Sequence, residues 1–125
     1  MNFKLPVLHT LDQLGKLSET EINFESYSAN ERSSSDIHWL FRPEETGGSG
    51  AALIRYKAGG TSPLHVHTGF ELAYIIDGEF ITDQGTVKKN DLILLPPGSQ
   101  HNSRSETGAL VLIIWEKPAE SVEGQ

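Results

Sequence analysis

From Ile37 to Trp115 the sequence is a succession of short β-branched and aromatic runs separated by turn residues, and this rhythm constrains the fold more than any other feature. The runs are Ile37–Phe41, Ala51–Lys57, Leu72–Ile76, Phe80–Asp83, Asp91–Leu95 and Leu110–Trp115. Strands at that spacing suit an all-β sandwich or barrel. Asp77-Gly78 can supply two residues at positive φ for a tight hairpin, and Gln84-Gly85 offers glycine for a second, so neighbouring strands are expected to pair antiparallel. The run Ala109 to Trp115 is apolar at both parities, which predicts a strand covered on both faces. One cover is the barrel interior. The other is either the N-terminal arm, which carries Leu5, Val7, Leu8, Leu11, Leu14 and Leu17, or a second subunit in a two-fold homodimer.

Upstream, Thr10-Leu11-Asp12-Gln13 reads as a capping box before leucines at helical spacing, and predicts one short helix. The expected organisation is a single domain: residues 1–36 an arm with a short helix packing on the barrel, 37–117 the barrel, and 118–125 a polar, flexible tail. With 125 residues the chain suffices for one core. It has no cysteine, so disulfides, thiolate metal sites and cysteine nucleophiles are excluded. Seventeen acidic against ten basic residues give a net charge of −7, the wrong sign for nucleic acid. No apolar run spans a bilayer and the first residues do not form a signal peptide, so a cytoplasmic protein without a membrane partner is expected.

The chemistry concentrates between Gly59 and Ser105. Residues two apart on a strand share a face, so His65 and His67 can present two imidazoles together. After a turn at Thr68-Gly69, Glu71 can lead the next strand, sharing its face with Ala73 and Ile75. His101 follows Pro96-Pro97-Gly98, a rigid turn that would fix where its side chain enters. Three neutral imidazoles and one carboxylate make a ligand set suited to one divalent metal ion, with zinc or iron(II) first and manganese or nickel as alternatives. Tyr56 shares a parity with Ala52 and Ile54 and is expected inside, either near the metal as a pocket residue or as a buried aromatic. Phe70, Ile75, Leu94 and Trp115 are expected in core or cavity wall. His9 and His38 lie outside this constellation and are read as surface or packing residues, and Gly47-Gly48-Ser49-Gly50 as a flexible connection.

The segment Gly59, His65, His67, Glu71, Gly78 resembles the first cupin pattern, G-x5-H-x-H-x3-E-x6-G, at every fixed position. The second pattern, G-x5-P-x-G-x2-H-x3-N, is met at Pro96, Gly98 and His101, with Asn90 in place of its glycine and Ser105 in place of its asparagine. Asparagine is the residue that best replaces glycine in a left-handed turn. The resemblance implies a cupin (RmlC-like) jelly-roll β-barrel, and within cupins the stretch from Gly50 to His101 looks like the cupin domain of ChrR-type anti-sigma factors, with small metal-dependent dioxygenases as related barrels. Anti-sigma factors of that type carry a zinc-binding helical domain ahead of the cupin, for which this chain is too short, so a complete anti-sigma factor is not expected. The implied function is a metal-dependent dioxygenase acting on a small carbonyl-containing substrate. The alternative is a non-catalytic, ligand-binding or sensory ChrR-like cupin with structural zinc. Diketone-cleaving cupins use three histidines, so Glu71 separates this chain from that pattern.

Overall fold

The computed structural model describes residues 6–15, 21–27 and 33–121. Its strands are β1 (Glu25–Ser26), β2 (Ser33–Phe41), β3 (Gly50–Val66), β4 (Glu71–Thr82), β5 (Gly85–Lys88), β6 (Leu92–Leu95), β7 (Gln100–Arg104), β8 (Ala109–Trp115) and β9 (Glu120–Ser121), with one-turn helices α1 (Leu11–Leu14) and α2 (Pro43–Thr46). Every pairing among them is antiparallel.

Two long strands close the barrel. The first part of β3 pairs with β8 and β2, and the second with β7 and β9. Likewise β4 pairs first with β6 and β8, then with β5 and β7. Because β8 and β7 each lie between β3 and β4, the two long strands are joined along their length into one antiparallel sheet of the jelly-roll barrel, with β1 and β2 at one edge and β5 and β6 at the other. Each long strand must bend to change partners. Gly59, at φ 84, lies where β3 leaves β8 for β7.

In β4 the bend falls at Asp77-Gly78, and here the expected hairpin is corrected. The strand runs on through both residues, which pair with Leu110 and Ala109 of β8 just after a bulge at Ile76, so they form strand and not a turn. Gly78 is at φ 80, and a Cβ there would run into the Gly108 carbonyl oxygen and come within 2.7 Å of Ala109 Cα. Glycine is demanded by a positive φ and by a close backbone approach together. The second expected turn is a true hairpin: Thr82 pairs with Gly85, closing β4 onto β5 through Asp83-Gln84.

Strand parity places the core as the sequence implies. Ala52, Ile54 and Tyr56 point inward with Ala73, Ile75, Val111, Ile113 and Trp115. On the outer face Leu53 and Leu110 pack with Ile22 and Ile76, flanked by Leu14, Phe24 and Leu112. Leu14, Ile22 and Phe24 of the arm thus pack on the outer face of their own barrel. Leu17 and Leu5 lie outside the described residues, and Val7 and Leu8 are exposed. Beyond the arm, Leu72, Tyr74, Leu92, Leu94 and Ile114 remain exposed across the neighbouring strands β6, β4 and β8. Two further expectations change. Phe70 and Leu94 are exposed, because Leu94 alternates outward from Ile93 and Phe70 sits in the turn before β4. The start of the supposed tail is paired, with Glu120 and Ser121 opposite Val66 and His65. The loop after β2 holds the unexpected helix α2, which the Glu45 side chain closes by accepting from the Arg42 N–H at 3.1 Å and left-handed Gly47 ends.

Candidate metal centre

His65 and His67 sit at the end of β3, and the pairing of β3 with β7 sets His101 directly opposite His65. Cross-strand neighbours on one face hold their Cβ atoms about 4.5–5.5 Å apart, so register alone brings the second motif onto the first. The three imidazoles meet edge to face, with centroids 5.0 Å apart for His65–His67, 4.7 Å for His65–His101 and 4.9 Å for His67–His101. One ring nitrogen from each lies within 4.8 Å of the others. Two metal–nitrogen bonds of about 2.0–2.2 Å span at most ~4.4 Å, so an ion would draw the widest pair inward slightly.

Backbone carbonyls orient two of the rings. His65 Nδ1 lies 2.9 Å from the Pro63 carbonyl oxygen, and His67 Nδ1 lies 3.2 Å from that of Ser99. A carbonyl only accepts, so each Nδ1 carries the proton and each Nε2 keeps its lone pair for the centre of the group, the arrangement that tunes ligating histidines. The Ser99 turn is in turn built on the Pro-Pro-Gly segment: Gly98 is left-handed at φ 86, and its N–H donates to the His67 carbonyl at 2.7 Å. His67 Nε2 is buried with no hydrogen-bond partner. A buried, unpaired imidazole lone pair aimed at two other imidazoles is costly unless something binds it, and three neutral nitrogens fit a borderline divalent cation.

Glu71, at the start of β4, places Oε2 3.5 Å from His67 Nε2. The three histidines form a group without it, and the carboxylate stands beside them. Behind the histidines lies a narrow cavity of about 40 Å³ bordered by His65, His101, Glu71 and Tyr56. A wider opening of about 250 Å³ shares Thr82, Val87, Ile93, Leu95 and His101 with it, and leads out between the β4–β5 hairpin and β6.

The two departures from the second cupin pattern have structural answers. Asn90 is at φ 76, the one non-glycine residue at positive φ among the described residues. Ser105 is buried, its Oγ donating to the Glu79 carbonyl at 2.7 Å and accepting from the Gly108 N–H at 2.9 Å, so it pins the loop against the β4 bend.

Residues 26–118 match the family profile described as ChrR Cupin-like domain. The chain belongs to the ChrR cupin-like domain family. No curated protein matches. Among solved structures, acetylacetone dioxygenase from Acinetobacter johnsonii aligns at TM-score 0.74 and 14% identity, covering 99% of this chain and 84% of that one. The polyketide cyclase RemF from Streptomyces resistomycificus aligns at 0.70 and 15%, over 84% and 82%. The anti-sigma ChrR of Rhodobacter sphaeroides, in complex with SigE, aligns at 0.66 and 19%, and this cupin covers 83% of itself but 54% of that chain. At such identities the likeness speaks for the fold.

His9 and His38 lie apart from this centre and pair with each other, Nε2 to Nε2 at 2.9 Å, with His38 Nδ1 donating to the Asn23 carbonyl at 2.8 Å. Burial, then the neighbouring His38, lowers the pKa of His9 below 6.5. Sequence reasoning did not single out Pro63 and Ser99 as the groups that orient the ligand rings; their only signal was adjacency to the motif histidines and to the Pro-Pro-Gly turn.

Proposed function

We propose that this ChrR-like cupin is a metal-dependent enzyme that binds one divalent ion through His65, His67 and His101 with Glu71 as fourth ligand, and acts as a dioxygenase on a small carbonyl-containing substrate. The observation that carries the proposal is the joining of the histidine group to an internal cavity with an outlet: His65, His101 and Glu71 border the space a substrate would fill. A bound ion supplies Lewis-acid polarisation of a carbonyl oxygen. The chain's own part is to hold the lone pairs of His65 and His67 in place through the Pro63 and Ser99 carbonyls, to keep water out with the apolar wall, and to offer the Glu71 carboxylate as ligand or proton acceptor. The test is metal analysis of the purified protein, followed by oxygen uptake after iron(II) reconstitution with a panel of diketones and hydroxy-ketones. Consumption of dioxygen coupled to loss of one substrate is expected. Full metal loading with no uptake across the panel would favour the second reading.

That reading is a ligand-binding or sensory cupin with structural zinc, and the position of Glu71 favours it: a carboxylate 3.5 Å from His67 can complete a closed tetrahedral set. We also propose a cytoplasmic homodimer. The exposed apolar side chains of β4, β6 and β8 form a continuous face that a two-fold copy can complement, and light scattering that gives a stable mass of 13.8 kDa, one chain, would refute it.

A further inference from the structure

Among the buried polar groups that the metal reading does not use, the hydroxyl of Tyr56 is the one that lines the cavity. The side chain points into the barrel from β3, is 3% exposed, and meets Phe80 edge to face with centroids 4.5 Å apart and planes at 90°. Phenylalanine would make the same packing. No hydrogen bond of the hydroxyl is found among the described residues, and the oxygen is not one of the fully enclosed unpaired atoms. It therefore borders open space, and the space Tyr56 lines is the cavity shared with His65, His101 and Glu71. The hydroxyl is therefore a donor with no partner fixed by the fold, available to whatever occupies the cavity.

The rest of the cavity says what that occupant is. Its wall is apolar at Phe80, Val87 and Ile93, with hydroxyls at Thr82 and Ser103, and no lysine or arginine lines it. The one charged side chain of the lining, Glu71, is acidic, so apart from a bound ion the wall offers a dicarboxylate repulsion and no counter-charge. At about 40 Å³ the cavity admits the head of a small molecule, since each water needs roughly 10–15 Å³ by the same measure. The wider outlet at Thr82, Val87, Ile93 and Leu95 leaves room for a short apolar end.

We infer that the site selects small, uncharged carbonyl compounds over carboxylate anions, and that the Tyr56 hydroxyl is the hydrogen-bond donor that reads the carbonyl oxygen. This deepens the proposed function and rests on it for the role of the histidines. Calorimetric titration of the metal-free protein with acetylacetone and, separately, oxalate, repeated on the zinc-loaded protein with zinc content measured after each run, tests it beside Tyr56→Phe. Acetylacetone should bind at least tenfold more tightly than oxalate, and Tyr56→Phe should weaken acetylacetone about 3- to 10-fold with unchanged zinc stoichiometry. The melting midpoint of the unliganded variant should stay level or rise. Oxalate binding as tightly as acetylacetone, or equal acetylacetone affinity in the variant, overturns the inference. So does a midpoint several degrees lower in the variant, which would reveal a structural partner for the hydroxyl. A protein that takes up no zinc overturns the reading of the histidines, while the acetylacetone titration and melting comparison on the metal-free chain still decide the role of Tyr56.

Discussion

Removing His101 separates metal binding from folding more cleanly than removing either of its partners. His67 is 2% exposed and its ring is tied to Ser99, so its loss would leave a hole and break that tie in addition to removing a ligand. His101 is half-buried on β7 at the cavity edge, so its truncation leaves a smaller hole than that of the buried His67. A metal that binds the folded state alone stabilises it by RT ln(1 + [M]/Kd), about 2.7 kcal/mol at a hundredfold excess over Kd. For a chain of 125 residues each kcal/mol moves Tm by about 4 °C, so the wild-type midpoint should rise by ~10 °C on metal addition. Losing one of three nitrogen ligands should weaken binding by at least about a hundredfold, which reduces the term to ~0.4 kcal/mol and the rise to 1–2 °C, roughly within scatter. Differential scanning fluorimetry with and without zinc or iron(II), on wild type, His101→Ala and His9→Ala, provides the measurement. His9→Ala should keep the full rise. Equal rises in all three proteins, or loss of the rise in His9→Ala, would show that the ion sits elsewhere.

Gly78→Ala should cost at least about 3 kcal/mol in denaturant melts, because positive φ and the approach of Gly108 and Ala109 leave no room for a methyl group; a loss below 1 kcal/mol would mean the β4 bend can relax. Ser105→Ala should destabilise by roughly 2–4 kcal/mol, since the Glu79 carbonyl and the Gly108 N–H both lose their partner. The lowered pKa of His9, caused by burial and then by His38, means that the folded state binds fewer protons than the unfolded chain. Its stabilisation is present above pH 6.5 and is lost as the pH falls through that value towards the lowered folded pKa, so amide protection factors, corrected for intrinsic exchange, in residues 6–15 of the metal-free protein should fall on acidification, and His9→Asn should flatten that dependence. Identical pH profiles for variant and wild type would remove the histidine pair from the account.

Much of this molecule is legible one strand at a time. Period-two alternation placed Ala52, Ile54 and Tyr56 inside and Leu53 outside, because a strand's faces follow from local geometry. The left-handed Asn90, the hairpin closed by Gly85 and the Pro-Pro-Gly turn before His101 follow from the conformational preferences of those residues. The motif spacing named His65, His67 and His101 as candidates, and Glu71 beside them. What alternation cannot supply is which strand lies next to which. The same Asp77-Gly78 pair that would close an isolated hairpin stays within the strand, because both residues pair with β8 after a bulge at Ile76 and Gly108 needs the space a side chain would take. The pairing of His65 with His101, the carbonyls that turn two imidazoles inward, and the partner-free hydroxyl of Tyr56 also exist only after closure. The physical reason is the range of the interactions: turns and faces are chosen by neighbours in the chain, whereas the register between β3 and β7 is chosen by packing and hydrogen bonding across segments dozens of residues apart.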